Sequence, residues 1–92
     1  MNGLDKLERV ARNLPVKGIT MGRAETLYGP VYMAWGKNKD YWHGVWGADI
    51  EGGSAQVLQI KPNVSEKDVQ QILLDTANLA LEVYRGRNPI TA

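Results

Sequence analysis

The amino-acid sequence predicts an α+β fold: an antiparallel β-meander of three or four strands, with a short N-terminal helix and a long C-terminal helix packed on the sheet. Apolar residues recur at helical spacing near both ends of the 92-residue chain. Between them lie runs rich in aromatic and β-branched residues, separated by short polar or glycine-rich turns. Because tight turns join consecutive strands antiparallel to one another, these runs predict a meander.

The first element is an amphipathic helix. Its apolar positions follow steps of three and four residues: Leu4, Leu7, Val10, Ala11 and Leu14. Asn2 or Gly3 is the expected N-cap, and the restriction that Pro15 places on the preceding residue ends the helix near Asn13. A helix of about ten residues is unstable alone, so we expect it to dock on the remaining structure.

The middle of the chain contains three clear strands and one segment that stays open. The strands lie in PVYMAW, YWHGVWGA and AQVLQI, and the turns GKNKD and IEGGS separate them. Residues 17–29 fit either a further strand with a bulge at Gly22 or a loop. The number of strands is therefore three or four.

The C-terminal helix has the strongest local signals. Ser65 occupies the N-cap position with Asp68 at the third helical position, a variant of the capping box. Gly86 suits the residue that ends a helix, and Pro89 follows shortly after it. We expect residues 1–86 to form a single domain and residues 87–92 a C-terminal tail.

This helix also has an unusually broad apolar surface. Its apolar arc spans roughly 220°, whereas an ordinary surface helix needs little more than about 100°. Leu74 and Leu81, seven residues apart, lie at the side of the arc. We expect this side stripe to be exposed and to form an interface with a partner.

The segment YMAWGKNKDYWHGVWG, from Tyr32 to Gly47, contains all three tryptophans, the only histidine and two of the four tyrosines. A two- or four-residue loop within residues 37–40 pairs Trp35 with Trp42 and gathers the tryptophans on one face, which the C-terminal helix covers. A five-residue loop would separate Trp35 from the other two tryptophans. We favour the even loop and expect the tryptophans to be mainly core.

The opposite face of this hairpin, here called the tyrosine face, carries Tyr32, Tyr41, His43 and Val45. A two-residue loop at residues 52–53 adds Leu58 and Ile60 to the tyrosine face, unless a bulge near Gly47 moves them to the tryptophan face. Without the bulge both faces of the sheet are apolar. The N-terminal helix then covers part of the tyrosine face and a partner covers the rest.

The sequence offers little catalytic chemistry. Cysteine is absent and His43 is the sole imidazole, so a thiol nucleophile and a multi-histidine metal site are both excluded within one chain. Its two serines lie in a turn and at a helix cap, and its glycines do not follow the phosphate-loop spacing. Asp40, Asp49 and Glu51 are typical of solvated turns. We therefore expect no enzyme, no cofactor and no metal.

Charge and hydropathy limit the partners. Eleven basic and ten acidic residues give a net charge of +1, less than a dedicated nucleic-acid binder usually carries. No stretch approaches the roughly 18 apolar residues of a membrane span, and the amphipathic N-terminus lacks the apolar run of a signal peptide. We expect a cytoplasmic protein without membrane contact.

The first functional hypothesis is a small non-catalytic interaction protein. Its partner is another protein or a ribonucleoprotein complex, and a homodimer is a further expectation. Stand-alone proteins of this size include phage-encoded inhibitors of host defence, such as anti-CRISPR proteins, and these supply a biological setting. The expected partner-binding residues are Tyr32, Lys37, Lys39, Tyr41, His43, Leu74 and Leu81.

The alternative hypothesis is a small RNA- or DNA-binding module. Its phosphate contacts come from the basic hairpin tip and the first helix, through Arg9, Arg12, Lys37 and Lys39. Tyr32 or Tyr41 provides a ring on which a base stacks.

Overall fold

The computed structural model describes residues 3–50 and 54–87, and these residues adopt the predicted α+β fold. The elements in chain order are α1 (Gly3–Ala11), β1 (Thr20–Thr26), β2 (Gly29–Lys37), β3 (Trp42–Ala48), β4 (Ser54–Ile60) and α2 (Glu66–Arg87). All four strands form one antiparallel sheet in the order β1-β2-β3-β4. The meander is confirmed, and residues 17–29 contribute a full strand. Of the expected tail, Arg87 belongs to α2 and residues 88–92 lie outside the described residues.

Each face of the sheet is covered by one helix. α2 packs on the tryptophan face, where Val31, Met33, Trp35 and Trp46 form a buried cluster with helix residues. α1 packs on the tyrosine face, and its apolar side forms a second cluster with two strand residues: Leu7, Ala11, Leu14, Ala34 and Val45. The short helix is therefore stabilised by docking, as its length requires.

Close contact with the end of β3 determines where α1 begins. A Cβ atom on buried Gly3 would lie 2.4 Å from the carbonyl carbon of Ala48, so only glycine fits at this position. The Gly3 amide donates a hydrogen bond to Oδ1 of Asp49, whose negative charge suits the positive end of the helix dipole. Asp49 thus supplies a cap from a distant part of the sequence, and Asn2, the other expected cap, lies outside the described residues.

The β2–β3 hairpin has the predicted faces but a different register. Lys37 pairs with Trp42 and Trp35 with Gly44, so the loop consists of the four residues 38–41. The predicted pairing of Trp35 with Trp42 is wrong by two residues along the partner strand. An even shift leaves each side chain on its own face, and it places the largest side chain opposite a glycine. Trp35 is only 3% exposed as a result.

The register of β3 and β4 corrects the prediction for Leu58 and Ile60. Leu58 pairs with Gly44 and Ile60 with Trp42, so both lie on the tryptophan face. The paired residues Ala48 and Ser54 are separated by five residues, whereas the prediction assumed a loop of two. Changing the loop from an even to an odd number of residues moves every side chain of β4 to the other face of the sheet. The described ladder of β3 is continuous, so no bulge is needed to explain the exchange of faces.

α2 begins with the predicted cap, because the Ser65 hydroxyl accepts a hydrogen bond from the Asp68 amide at 3.2 Å. Its fully buried stripe repeats every four residues: Val69, Leu73, Ala77 and Leu81. Neither described helix is both long enough and apolar enough to cross a membrane.

The expected exposed stripe on α2 is therefore wrong for Leu81, which is 1% exposed within the core. Leu74 is half-buried and packs against the same cluster. The apolar residues that α2 does expose are Leu79 and Val83, at 63% and 49%. The apolar arc correctly predicted that α2 has a buried face. The centre of that face lies on the Leu73–Leu81 stripe, so Leu81 is buried and Leu79 is exposed.

Candidate nucleic-acid interface

The β2–β3 turn is organised by the side chain of Asn38. Its Oδ1 accepts hydrogen bonds from the backbone amides of Asp40 and Tyr41, at 2.8 and 2.9 Å. The backbone amide of Asn38 donates to the Tyr41 carbonyl at 3.0 Å and closes the four-residue loop. Asparagine favours such turns because its side chain mimics a backbone acceptor. The flanking lysines, Lys37 and Lys39, therefore leave the turn from a fixed backbone.

The same side chain joins the turn to the connection between α1 and β1. Nδ2 of Asn38 donates to the Pro15 carbonyl at 3.1 Å and lies 3.0 Å from Nε2 of His43. Since an amide nitrogen only donates, Nε2 of His43 accepts this bond and the ring proton is on Nδ1. His43 is 4% exposed, so the expectation that it forms part of an accessible binding surface is wrong.

Close packing also holds the α1–β1 connection against β2. A Cβ atom on Gly36 would lie 2.4 Å from the Gly18 carbonyl oxygen and 2.7 Å from Cγ2 of Val16. The connection can therefore lie this close only because Gly36 has no side chain. This approach brings Lys17, which the sequence prediction did not include, beside the hairpin turn.

A cleft of about 680 Å³ opens where these two segments meet. Its lining residues are Leu14, Pro15, Val16, Lys17, Lys37, Asn38 and Lys39. Three of them are lysines and none is acidic, and the three lysines are exposed. We call this the lysine cleft. Asp40, the acidic residue of the turn, is not among its lining residues.

Two aromatic residues, Tyr41 and Trp42, follow the residues of the hairpin turn that line the lysine cleft. Tyr41 is 43% exposed at the end of the turn, with its ring edge-on to His43 at a centroid distance of 6.2 Å. The Lys37 ammonium lies 5.3 Å from the centre of the Trp42 ring, and the Trp42 indole nitrogen donates to the Val64 carbonyl. Trp42 is thus held by the fold, whereas Tyr41 presents a free ring surface next to the lysines.

The structure does not bring Tyr32 to this site. Tyr32 pairs with Gly47, towards the opposite end of the sheet, and is half-buried. Its hydroxyl lies 3.4 Å from Oδ2 of Asp49, and the Arg23 guanidinium lies 5.7 Å from the ring centre. A hydrogen bond to Glu25 and the charge of that carboxylate raise the pKa of Arg23.

The two arginines of α1 also lie outside the lysine cleft. Arg12 lines a separate cleft of about 250 Å³ that Glu8, Ile19 and Met21 share. Arg9 is exposed, and its carbonyl accepts a hydrogen bond from the Asn13 side chain. Of the four predicted phosphate-binding residues, Lys37 and Lys39 are therefore the two that the cleft unites.

A cleft at the opposite end of the sheet has acidic lining residues, one of which, Glu25, pairs with Arg23. This cleft of about 650 Å³ beside the β1–β2 turn is lined by Glu25 and Glu82, with no basic residue among its lining side chains. Within the described residues, no group of three or more histidine or acidic side chains is arranged to hold a metal ion. The molecule therefore offers an anion a favourable cleft at one end and an unfavourable cleft at the other.

Two features of this site were absent from the sequence prediction. Asn38 had a detectable signal, because asparagine in a polar turn between strands favours side-chain hydrogen bonds to the backbone. Lys17 had none, since its position depends on the contact between the α1–β1 connection and β2. No protein-family model matches the chain, and no curated protein or solved structure shows significant similarity to it.

Proposed function

We propose that this protein is a small non-catalytic binding protein and that its lysine cleft binds single-stranded RNA or DNA. One observation carries the proposal: Lys17, Lys37 and Lys39 line a single cleft that has no acidic lining residue. Lysine side chains that line one cleft attract the phosphates of a flexible strand, although the net charge of the whole chain is only +1.

The surroundings of the cleft suit a flexible strand. Single-stranded nucleic acids bind where a positively charged groove follows the backbone and an aromatic side chain stacks on a base. Tyr41 supplies a half-exposed ring in the same turn as Lys39. A short site of this kind makes few phosphate contacts, so we expect weak binding without strong sequence preference.

The arrangement of apolar residues favours this ligand over a protein partner on α2. The sequence suggested a protein interface at Leu74 and Leu81, but Leu81 lies in the core and Leu74 packs against the core cluster. α1 covers the centre of the tyrosine face. The setting as a phage-encoded inhibitor of host defence stays an expectation from size and class, since none of the described contacts bears on it.

The proposal includes no chemical step. His43, the only imidazole, is buried, and its Nε2 accepts a hydrogen bond from Asn38. The indole nitrogens of Trp42 and Trp46 donate to Val64 and Gln56. These residues have structural roles in the proposal, and the lysines have the binding role.

Fluorescence anisotropy with labelled oligouridylate and oligothymidylate tests the proposal. We expect weak binding at low salt, with an affinity that falls as salt rises. Each phosphate contact contributes a slope of about 0.7 in a plot of log affinity against log salt concentration. Lys17→Gln/Lys39→Gln should lower the affinity and reduce this slope by about 1.4, because two contacts are lost.

Lys67→Gln is the control, because Lys67 is an exposed lysine on α2 that does not line the cleft. It should leave the slope unchanged. Equal losses in Lys67→Gln and in Lys39→Gln would show diffuse attraction to the whole surface and would contradict a defined site. Wild-type protein without measurable affinity at low salt would also reject the proposal.

A further inference from the structure

The two edge strands of the sheet differ in charge. In the part of the chain that the structure describes, β1 and β4 are the outer strands and neither pairs along its outer edge. β1 contains Arg23 and Glu25, which form a salt bridge at 2.6 Å on its surface. β4, with the sequence SAQVLQI, contains no charged residue and no proline. Charged side chains and prolines are the usual protection of an edge strand against pairing.

Three side chains of β4 are also accessible, whereas Leu58 and Ile60 pack in the cluster beneath α2. Val57, the central residue of the strand, is 48% exposed, and Gln56 and Gln59 are exposed as well. α2 packs on β2 and β3, and α1 contacts β4 from one face only. The outer edge of β4 therefore presents backbone amides and carbonyls that another strand can reach, next to an apolar side chain.

We propose that β4 pairs antiparallel with β4 of a second copy and joins the two sheets into one of eight strands. A two-fold axis through the centre of the strand places Val57 opposite Val57 of the second copy. Gln56 then lies opposite Leu58 of the second copy, and Ala55 opposite Gln59. The alternation of faces is preserved, so the two α1 helices lie on one side of the joined sheet and the two α2 helices on the other.

A second copy fits this edge better than a charged peptide does. Two-fold pairing brings each residue type against a counterpart from the same strand, so any charge near the centre would face a like charge. The absence of charge from Ser54–Ile60 removes that cost. Because the pairing is antiparallel, the lysine clefts of the two copies lie at opposite ends of the strands in the joined sheet. Nucleic-acid binding and pairing are therefore independent of each other.

The contact is small. Seven residues extend roughly 24 Å along the strand, and edge pairing alone buries less than the roughly 1,000 Å² of a stable interface. We therefore expect a weak dimer that forms in the upper micromolar to millimolar range.

Sedimentation velocity across a concentration series tests this proposal with two matched variants. Val57→Lys places a charge at the centre of β4. Met21→Lys places the same charge on β1, at a residue of equal exposure on the same face of the sheet (49% against 48%). We expect wild-type protein and Met21→Lys to change from monomer to dimer as concentration rises, and Val57→Lys to stay monomeric.

A wild-type protein that remains monomeric at millimolar concentration would overturn the proposal that β4 pairs with β4 of a second copy. A dimer that survives in Val57→Lys, or is lost in Met21→Lys, would overturn it too. Circular dichroism shows whether each variant is folded. Should Val57→Lys unfold, hydrogen exchange of the wild-type protein decides: amide protection in β4 must rise with concentration while protection in β1 stays constant.

Discussion

Replacing Asn38 with alanine removes the side chain that joins the hairpin turn to the α1–β1 connection. Four hydrogen-bonding contacts are lost: two accepted from the turn amides, one donated to the Pro15 carbonyl and one donated to His43. A typical hydrogen bond contributes about 0.5–1.5 kcal/mol net, and exposed ones lie at the lower end because water replaces them. We therefore expect Asn38→Ala to reduce the free energy of unfolding by about 2–3 kcal/mol.

Asn38→Asp separates the two roles of this side chain. The carboxylate retains both acceptor contacts to the turn but loses the two donated bonds, and it places a negative charge beside the Pro15 carbonyl oxygen. We expect it to cost about half as much as Asn38→Ala. Asn13→Ala is a suitable control, since it removes one exposed hydrogen bond within a helix end and should cost less than about 1 kcal/mol.

Urea denaturation followed by tryptophan fluorescence measures these differences. A loss below about 0.5 kcal/mol in Asn38→Ala would show that the side chain does not stabilise the turn, because even one net hydrogen bond contributes about that much. An Asn38→Asp variant as stable as the wild-type protein would show that the bonds donated to Pro15 and His43 contribute little.

Three further predictions concern the packing of the helices and the core. Gly3→Ala should lower the melting temperature by several degrees, because its Cβ would overlap the main chain at the end of β3, while Gly18→Ala, which meets nothing within 4 Å, should not. Leu81→Glu should abolish the cooperative thermal transition, since Leu81 is 1% exposed, whereas Leu79→Glu, at 63% exposure, should melt like the wild-type protein. Trp46→Ala should cost about 3–5 kcal/mol in urea denaturation, as large aromatic core deletions do; a cost below about 1 kcal/mol would contradict its place in the core.

The sequence predicted the faces of the central hairpin more reliably than its register. Side chains alternate with period two, so any even loop gives the same two faces and gathers Trp35 and Trp46 on one of them. The pairing partners depend on the length of the loop, which the backbone hydrogen bond from Asn38 to Tyr41 closes at four residues and the Asn38 side chain supports from within. For the β3–β4 connection the prediction assumed an even number of loop residues, whereas the actual number is odd. Leu58 and Ile60 were therefore assigned to the wrong face of the sheet.

The rotation of α2 could not be predicted from its own apolar arc. A Cβ atom on Gly44 would lie 2.9 Å from a methyl carbon of Leu73, so the Leu73 side chain fits against β3 because residue 44 is a glycine. That contact places the stripe containing Leu73 and Leu81 against the sheet and leaves Leu79 outside. The glycine lies on a different element, and its effect requires the tertiary contact.

The site was predicted in part. Lys37 and Lys39 were identified from the polar turn, and the structure keeps both at the cleft. Lys17 was missed because residues 17–29 had no clear assignment. The sequence predicted that α1 covers part of the tyrosine face but not which residues are covered, so His43 and Tyr32 were both expected on an accessible surface.

Binding of a single-stranded nucleic acid at the lysine cleft can be located residue by residue in an NMR titration. A short oligouridylate added to uniformly ¹⁵N-labelled protein should shift the amide resonances of residues 14, 16–18 and 37–41 in fast exchange, and the shifts should shrink as salt rises. Resonances of residues 25–28 and 78–82, at the acidic end, should stay in place. Shifts concentrated at the acidic end or along β4, or no shifts at low salt, would contradict the account.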